Sequence, residues 1–177
     1  SITRIPMGHE IAATPLQMIM ALNAIANGGR LMRPLIVKRV VSPEGEPLLN
    51  FEPRQVGQPI TPRASALMTA ALRKVVTPEG TAPKAAVEHY DVAGKTGTAQ
   101  KIENGQYVRK YYSSFIGYLP AADPELSILV SLDNPVGGAY YGGTVSGPVF
   151  SEVARKVAQY LGLPAQQPQS DSQLAKL

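Results

Sequence analysis

The chain has no cysteine, which excludes disulfides and thiolate metal sites and leaves the redox compartment open. His9 and His89 are the only histidines. Two such side chains without a carboxylate cluster do not make a metal site, so each is expected on the surface or in packing. Charge is sparse at 17% of residues, and the net +4 is scattered without a basic run. Nucleic acid is therefore not an expected partner. No apolar stretch approaches the ~20 residues that span a bilayer, and no signal-peptide pattern opens the chain. Ser1-Ile2-Thr3-Arg4-Ile5-Pro6 reads like the middle of a protein, so any membrane anchor is expected outside this chain.

What is present is enough for a folded unit. The 177 residues are 44% apolar, a length and composition that can bury a sizeable core. Thr14-Pro15 predicts a helix start, and Asn27-Gly28-Gly29 a stop. Nearly every face of that helix is apolar, which predicts deep burial. Leu35 to Val41 reads as a strand, Ser42-Pro43-Glu44-Gly45 as a turn, and Pro47 to Phe51 as a returning strand. Gln55 to Ile60 reads as loop. Thr61-Pro62 opens a second helix, with Arg63, Arg73 and Lys74 on its expected solvated face. Residues 78 to 89 read as loop.

Three strands are then expected: Tyr90 to Lys101, Tyr111 to Leu119 and Leu126 to Asp133. Asn104-Gly105 is a hairpin signal, and Asp123-Pro124 marks the next turn, so the three form an antiparallel meander. Asn134 to Thr144 reads as a Gly-rich loop. Ser146-Gly147-Pro148 opens a last helix with Phe150, Val153, Ala154, Val157 and Leu161 on one face. Residues 164 to 177 are expected to be a Pro/Gln/Ser-rich disordered tail. Helices covering an antiparallel sheet make the fold class α+β.

Lys95-Thr96-Gly97-Thr98 concentrates a cation, two hydroxyls and a bare backbone position in four residues. Gly94-Lys95-Thr96 would end a phosphate loop, but that motif needs glycine where His89 stands and a helix directly after. On a strand, Thr96 and Thr98 point to one side and Lys95 to the other. Gly97 lets a ligand approach the backbone, and an edge strand would offer free N–H groups to an extended ligand or an oxyanion.

These residues resemble the third motif of class B penicillin-binding proteins, and the likeness extends along the chain. Thr14-Pro15-Leu16-Gln17 with Ala24-Ile25-Ala26-Asn27-Gly28-Gly29 is similar to the helix before that motif. Phe115-Ile116-Gly117-Tyr118-Leu119-Pro120 is similar to the next strand. Tyr140-Tyr141-Gly142-Gly143 with Gly147-Pro148-Val149-Phe150 is similar to the closing loop and helix. The resemblance covers residues 7 to about 163 and implies the C-terminal half of a β-lactamase/transpeptidase-like domain, incomplete in this chain, spanning residues 1–163. It implies a peptidoglycan D,D-transpeptidase of division or elongation, at the periplasmic face of a bacterial inner membrane and without a cofactor. Stem peptides and β-lactams are the implied ligands. The N-terminal remainder of the same protein and divisome or elongasome proteins are the implied partners. It also implies roles for residues. Lys95 supplies positive charge beside the catalytic serine and helps hold the donor carboxylate. Thr96 and Thr98 hydroxyls bond that carboxylate. The Thr98 backbone N–H serves an oxyanion, and Gly97 lets the peptide lie against the strand. Tyr140, Tyr141, Gly142 and Gly143 border the pocket. From the residues alone, Tyr107, Tyr111 and Tyr112 read either as strand packing or as the lining of a groove near the site.

One departure from that family's pattern is severe. It uses Ser-x-x-Lys, in which the lysine activates a serine one helical turn away, and no serine here has lysine three residues later. Ser-x-Asn and Tyr-x-Asn are absent too. Thr81 with Lys84 encloses Pro83, and Thr98 with Lys101 lies on a strand, so neither replaces it. Truncation, processing or a split chain explains this better than an inactive relative with eroded motifs. Alone, the chain is expected not to acylate, and residues 1 to 163 by themselves are expected to be poorly stable. The alternative reading is a non-catalytic scaffold or partner-binding segment of the division or elongation machinery.

Overall fold

Helix α1 begins where a hydroxyl precedes a proline. Thr14 Oγ1 accepts from the Gln17 N–H at 3.2 Å, and Gln17 Oε1 accepts from the Thr14 N–H at 2.8 Å, a reciprocal cap that satisfies two orphan donors. The computed structural model describes residues 11–165; His9 and the tail from residue 166 lie outside them. In it α1 spans Pro15–Ala26. Helix α2, Pro62–Arg73, starts the same way, with Thr61 Oγ1 accepting from the Ala64 N–H at 3.1 Å.

Between the two helices lie four short strands: β1 (Leu31–Met32), β2 (Arg39–Val41), β3 (Pro47–Asn50) and β4 (Gln55–Gly57). β2 pairs with β3 across the Ser42 turn, and β1 pairs with β4. After α2 come β5 (Ala93–Glu103), β6 (Gln106–Leu119) and β7 (Leu126–Asp133), an antiparallel sheet in the order β5-β6-β7. Asn104 and Gly105 both have positive φ, 51° and 78°, the geometry that matches a tight hairpin to strand twist. Two more helices close the described chain, α3 (Gly142–Val145) and α4 (Gly147–Leu161). This is the α+β architecture expected from the order of the elements.

The pleat sends alternate side chains to opposite faces, and each face has its own core. On one, Phe115 and Leu119 pack against Phe150, Ala154 and Ala158 of α4. The Phe115 and Phe150 rings meet edge to face at 4.7 Å. Each is fully buried, and such a side chain contributes about 1.5–3 kcal/mol. On the other face, Ala93 and Tyr118 pack against Leu22 of α1 and Leu72 of α2.

Several expectations are corrected. Leu35 to Lys38 is not strand, because Pro34 and the bend at Ile36 delay pairing until Arg39. Gln55–Gly57, read as loop, is a strand because β1 offers it a partner. The loop at residues 78 to 89 contains a 3-10 turn, Pro83–Ala85, and buries Ala82, Ala85 and Val87. The Gly-rich loop ends in α3. On α4, Val153 and Leu161 are exposed while Ala158 is buried, so the packed face is set by the small residues that let α4 approach Phe115. Helix α1 is covered only toward its C-terminal half: Leu22 and Ala24 are buried, but Leu16 is 54% exposed.

Arg73 is also not on a solvated face. Its guanidinium lies 2.5 Å from Asp91 Oδ2, and the two side chains are 15% and 25% exposed. Asp91 immediately precedes Val92 and β5, so the pair ties the end of α2 to the start of the sheet. Thr69 Oγ1 meets Tyr118 OH at 2.7 Å, and Ser65 Oγ donates to Ile25 O at 2.5 Å. Burial raises the Asp91 carboxyl above the ordinary carboxylate value, against the opposing pull of Arg73. Burial likewise raises the Tyr118 phenol, with the Thr69 hydrogen bond opposing.

Arg73→Ala strands a desolvated carboxylate and is expected to cost about 3 kcal/mol at neutral pH. The carboxyl then sits higher still above its unfolded value, so the cost is full above that raised pKa. It fades as pH falls through that value toward the parent's own, less raised one, below which the carboxyl is protonated in both proteins. Urea unfolding of the variant and the parent at neutral and acid pH checks both the size and the sign.

Candidate active site

β5 is an edge strand, so its outer side is unpaired among the described residues. The motif occupies its first half. Lys95 pairs with Ile116, Thr96 with Phe115, Gly97 with Ser114 and Thr98 with Ser113. Lys95 and Gly97 therefore share the α1/α2 face, and Thr96 and Thr98 the α4 face, as alternation requires. Lys95 is exposed. Its Nζ bends along the strand and donates to Thr96 O at 2.9 Å and Thr96 Oγ1 at 3.3 Å. Thr96 Oγ1 also lies 3.3 Å from Thr81 Oγ1.

Thr98 holds the neighbouring segment. Its Oγ1 accepts from the Gly142 N–H at 3.1 Å, which brings the start of α3 onto β5. A Cβ at Gly142 would lie 2.1 Å from Ser114 O and 2.4 Å from Gly97 O, and one at Gly143 2.2 Å from Thr81 O. Contact rather than φ demands glycine at both positions. The loop is pinned from beneath as well: Ser113 Oγ donates to Tyr140 O, and Ser146 Oγ donates to Ser113 O at 2.9 Å.

The segment delivers an aromatic stack. Tyr140 lies on Tyr111 with centroids 4.2 Å apart and planes 12° from parallel, and Tyr141 follows at 4.5 Å. A hydrogen bond between the two hydroxyls holds the Tyr141 phenol above its ordinary value. Arg109, Asn134 and Pro135 join Tyr111 and Tyr140 around an open hollow of about 430 Å³. Of the tyrosines weighed for a groove, Tyr111 lines this hollow and Tyr107 and Tyr112 do not. Tyr112 carries the Lys101 ammonium 4.2 Å from its ring centroid, and Tyr107 is 56% exposed. His89 is a surface residue, 3.4 Å from Glu88.

Ser113 and Ser114 were not singled out by the sequence, and Thr81 only in the rejected pairing with Lys84. Thr81 comes from a loop 14 residues upstream of Lys95, and nothing local marks its contact with Thr96. Ser113 and Ser114 face the motif only through register. Counting back from Asn104-Gly105 pairs Gly97 with Tyr112. Between the pairs Gln100↔Tyr111 and Ile102↔Tyr107, however, β6 uses three residues against one on β5, and that irregularity moves Ser114 opposite Gly97.

A family model described as the penicillin binding protein transpeptidase domain matches residues 1–155. Stage V sporulation protein D of Bacillus subtilis is 39% identical over 158 residues, covering 88% of this chain and 24% of that protein. A probable peptidoglycan D,D-transpeptidase PenA of Neisseria flavescens is 33% identical over 171 residues, covering 96% and 40%. Among solved structures, penicillin binding protein 3 from Mycobacterium tuberculosis in complex with ampicillin superposes with a TM-score of 0.82 at 31% identity, covering 94% of this chain and 39% of that one. The transpeptidase domain of penicillin-binding protein 3 from Burkholderia pseudomallei gives 0.76 at 34% identity, covering 90% and 46%. The chain thus spans less than half the length of these relatives.

Gly142→Ala forces the backbone of α3 off β5 and is expected to cost about 1–3 kcal/mol. Thr98→Val leaves only one N–H unpaired and should cost about 1 kcal/mol. Melting temperatures of the two variants check that order.

Proposed function

The chain belongs to the penicillin-binding protein transpeptidase family, and from that premise we propose that it forms the Lys-Thr-Gly wall of a peptidoglycan D,D-transpeptidase active site. Residues 1–163 are the C-terminal half of that domain, and the residues after them a tail. The observation that carries the proposal is an exposed Lys95 on an edge strand whose outer side is unpaired among the described residues. A peptide can add to such an edge through its main chain, and Lys95 supplies the charge that draws its terminal carboxylate there.

In the reaction, a serine hydroxyl attacks the penultimate D-alanine carbonyl of a donor stem. The carbonyl electrons move onto oxygen, D-alanine leaves with a proton, and an ester joins donor to enzyme. The amine of a second stem then attacks the ester, forms the amide and returns the proton to the serine. Lys95 lowers the cost of negative charge on the donor carboxylate and beside the serine. The Thr98 backbone N–H faces the developing oxyanion; one such donor is worth ~2.7–4 kcal/mol in the transition state. The Thr96 and Thr98 hydroxyls bond the carboxylate, because a hydroxyl already in one hydrogen bond keeps further capacity. Gly97 keeps the strand open to the donor, and Tyr140, Tyr141, Gly142 and Gly143 border the pocket.

This chain has no Ser-x-x-Lys, so the nucleophile belongs to the rest of the parent protein, and the chain alone does not acylate. β-Lactams acylate the same serine. Among the described residues no helix is long and apolar enough to cross a membrane; the anchor that holds the parent at the periplasmic face lies elsewhere in it, and divisome or elongasome proteins are its partners.

In the full-length parent, Lys95→Ala is expected to slow covalent labelling by a fluorescent penicillin about a hundredfold. Thr98→Val should slow it less, because the backbone donor remains. Labelling at the parent rate in both variants would remove these roles, and a parent protein that takes no label would favour the scaffold reading.

A further inference from the structure

Gly97 makes a notch in the wall that β5 presents, and the notch is not empty. A Cβ at Gly97 would lie 2.5 Å from Ser114 Oγ, its nearest neighbour. The hydroxyl of a β6 residue therefore occupies the place where a β5 side chain would stand. Ser114 is opposite Gly97 in the register, and Ile116, two residues on, is opposite Lys95. Ser114 and Lys95 are thus diagonal neighbours on one face, a separation of about 7 Å between such positions.

Ser114 is half-buried, and its hydroxyl makes no hydrogen bond among the described residues. That hydroxyl is nevertheless not among the fully sealed side-chain atoms of the described residues, so it keeps contact with solvent. Ser113, its neighbour, has the opposite character: its hydroxyl is committed to Tyr140 O. A hydroxyl in an unpaired, reachable position contributes nothing to the fold, because its hydrogen-bonding capacity is unused. It can serve a ligand without first breaking a bond.

Resting on the reading of Lys95 given above, we propose that Ser114 is a further substrate-contacting residue. Its hydroxyl reaches through the Gly97 notch and donates to the carboxylate that Lys95 attracts. Glycine at 97 then has two uses: it lets the ligand approach the strand, and it opens the path by which a second-row side chain joins the site. A hydrogen bond to a charged group is lost when Ser114 becomes alanine, while the fold loses nothing.

The test uses the full-length parent with a penicillin and the same penicillin as its methyl ester, which lacks the anionic carboxylate. Ser114→Ala is expected to slow acylation by the acid about tenfold, the size of one charge-assisted hydrogen bond. Acylation by the ester should stay within about twofold, and the melting temperature should be unchanged or higher. Equal loss with acid and ester, or a lowered melting temperature, would make Ser114 a structural residue and overturn the proposal. An unchanged rate with the acid would overturn it too. If Lys95→Ala still slows the acid in that case, the reading of Lys95 survives and only the Ser114 contact fails. A parent that neither penicillin acylates would overturn both.

Discussion

The pairing of β5 with β6 is the constraint on which the rest depends. It decides that Lys95 and Gly97 look toward α1 and α2 while Thr96 and Thr98 look toward α4. A slip of one residue would exchange the two sets. Both cores resist that slip, because Phe115 and Tyr118 sit on opposite faces of the same strand and both are fully buried. A displaced register would send each into the wrong layer. The facing of the motif is thus held by side chains buried in the two cores.

The second layer of control is the closeness of Gly142 to β5. Thr98 serves this contact through its hydroxyl and shapes the strand edge through its backbone. Ser113 and Ser146 extend the same arrangement inward, linking the aromatic loop to the sheet and α4. The Tyr111–Tyr140 stack joins the loop to β6 from above. Polar contacts and ring contacts therefore fix the same short segment from several directions.

Much of this was legible in the sequence, because local chemistry dictates it. Thr14-Pro15 and Thr61-Pro62 start helices where expected, and Asn104-Gly105 turns the hairpin. The motif lies on a strand, and Lys95 and the two threonines take opposite faces. Less legible were features set by distant partners. Arg73 looked solvated because nothing within α2 shows that Asp91 lies beside it. β4 looked like loop because its partner, β1, is two residues long and 24 positions upstream. On α4, Phe150 and Ala154 pack as read, but Ala158 was passed over for Val153 and Leu161 because an alanine carries little hydrophobic signal. The contact of Ser114 with Gly97 depended on residues added to β6, which periodicity cannot count.

That irregularity has a wider meaning for the hairpin. The two surplus residues on β6 lie between the motif and the turn, and because they are two, the alternation of faces survives across them. Gln100 Nε2 closes the gap by donating to Val108 O at 3.0 Å, while Lys101 reaches over β6 to Asp133. Residues 95–98 and residues 102–103 of β5 therefore keep one common alternation of faces, although they pair with β6 in registers two residues apart.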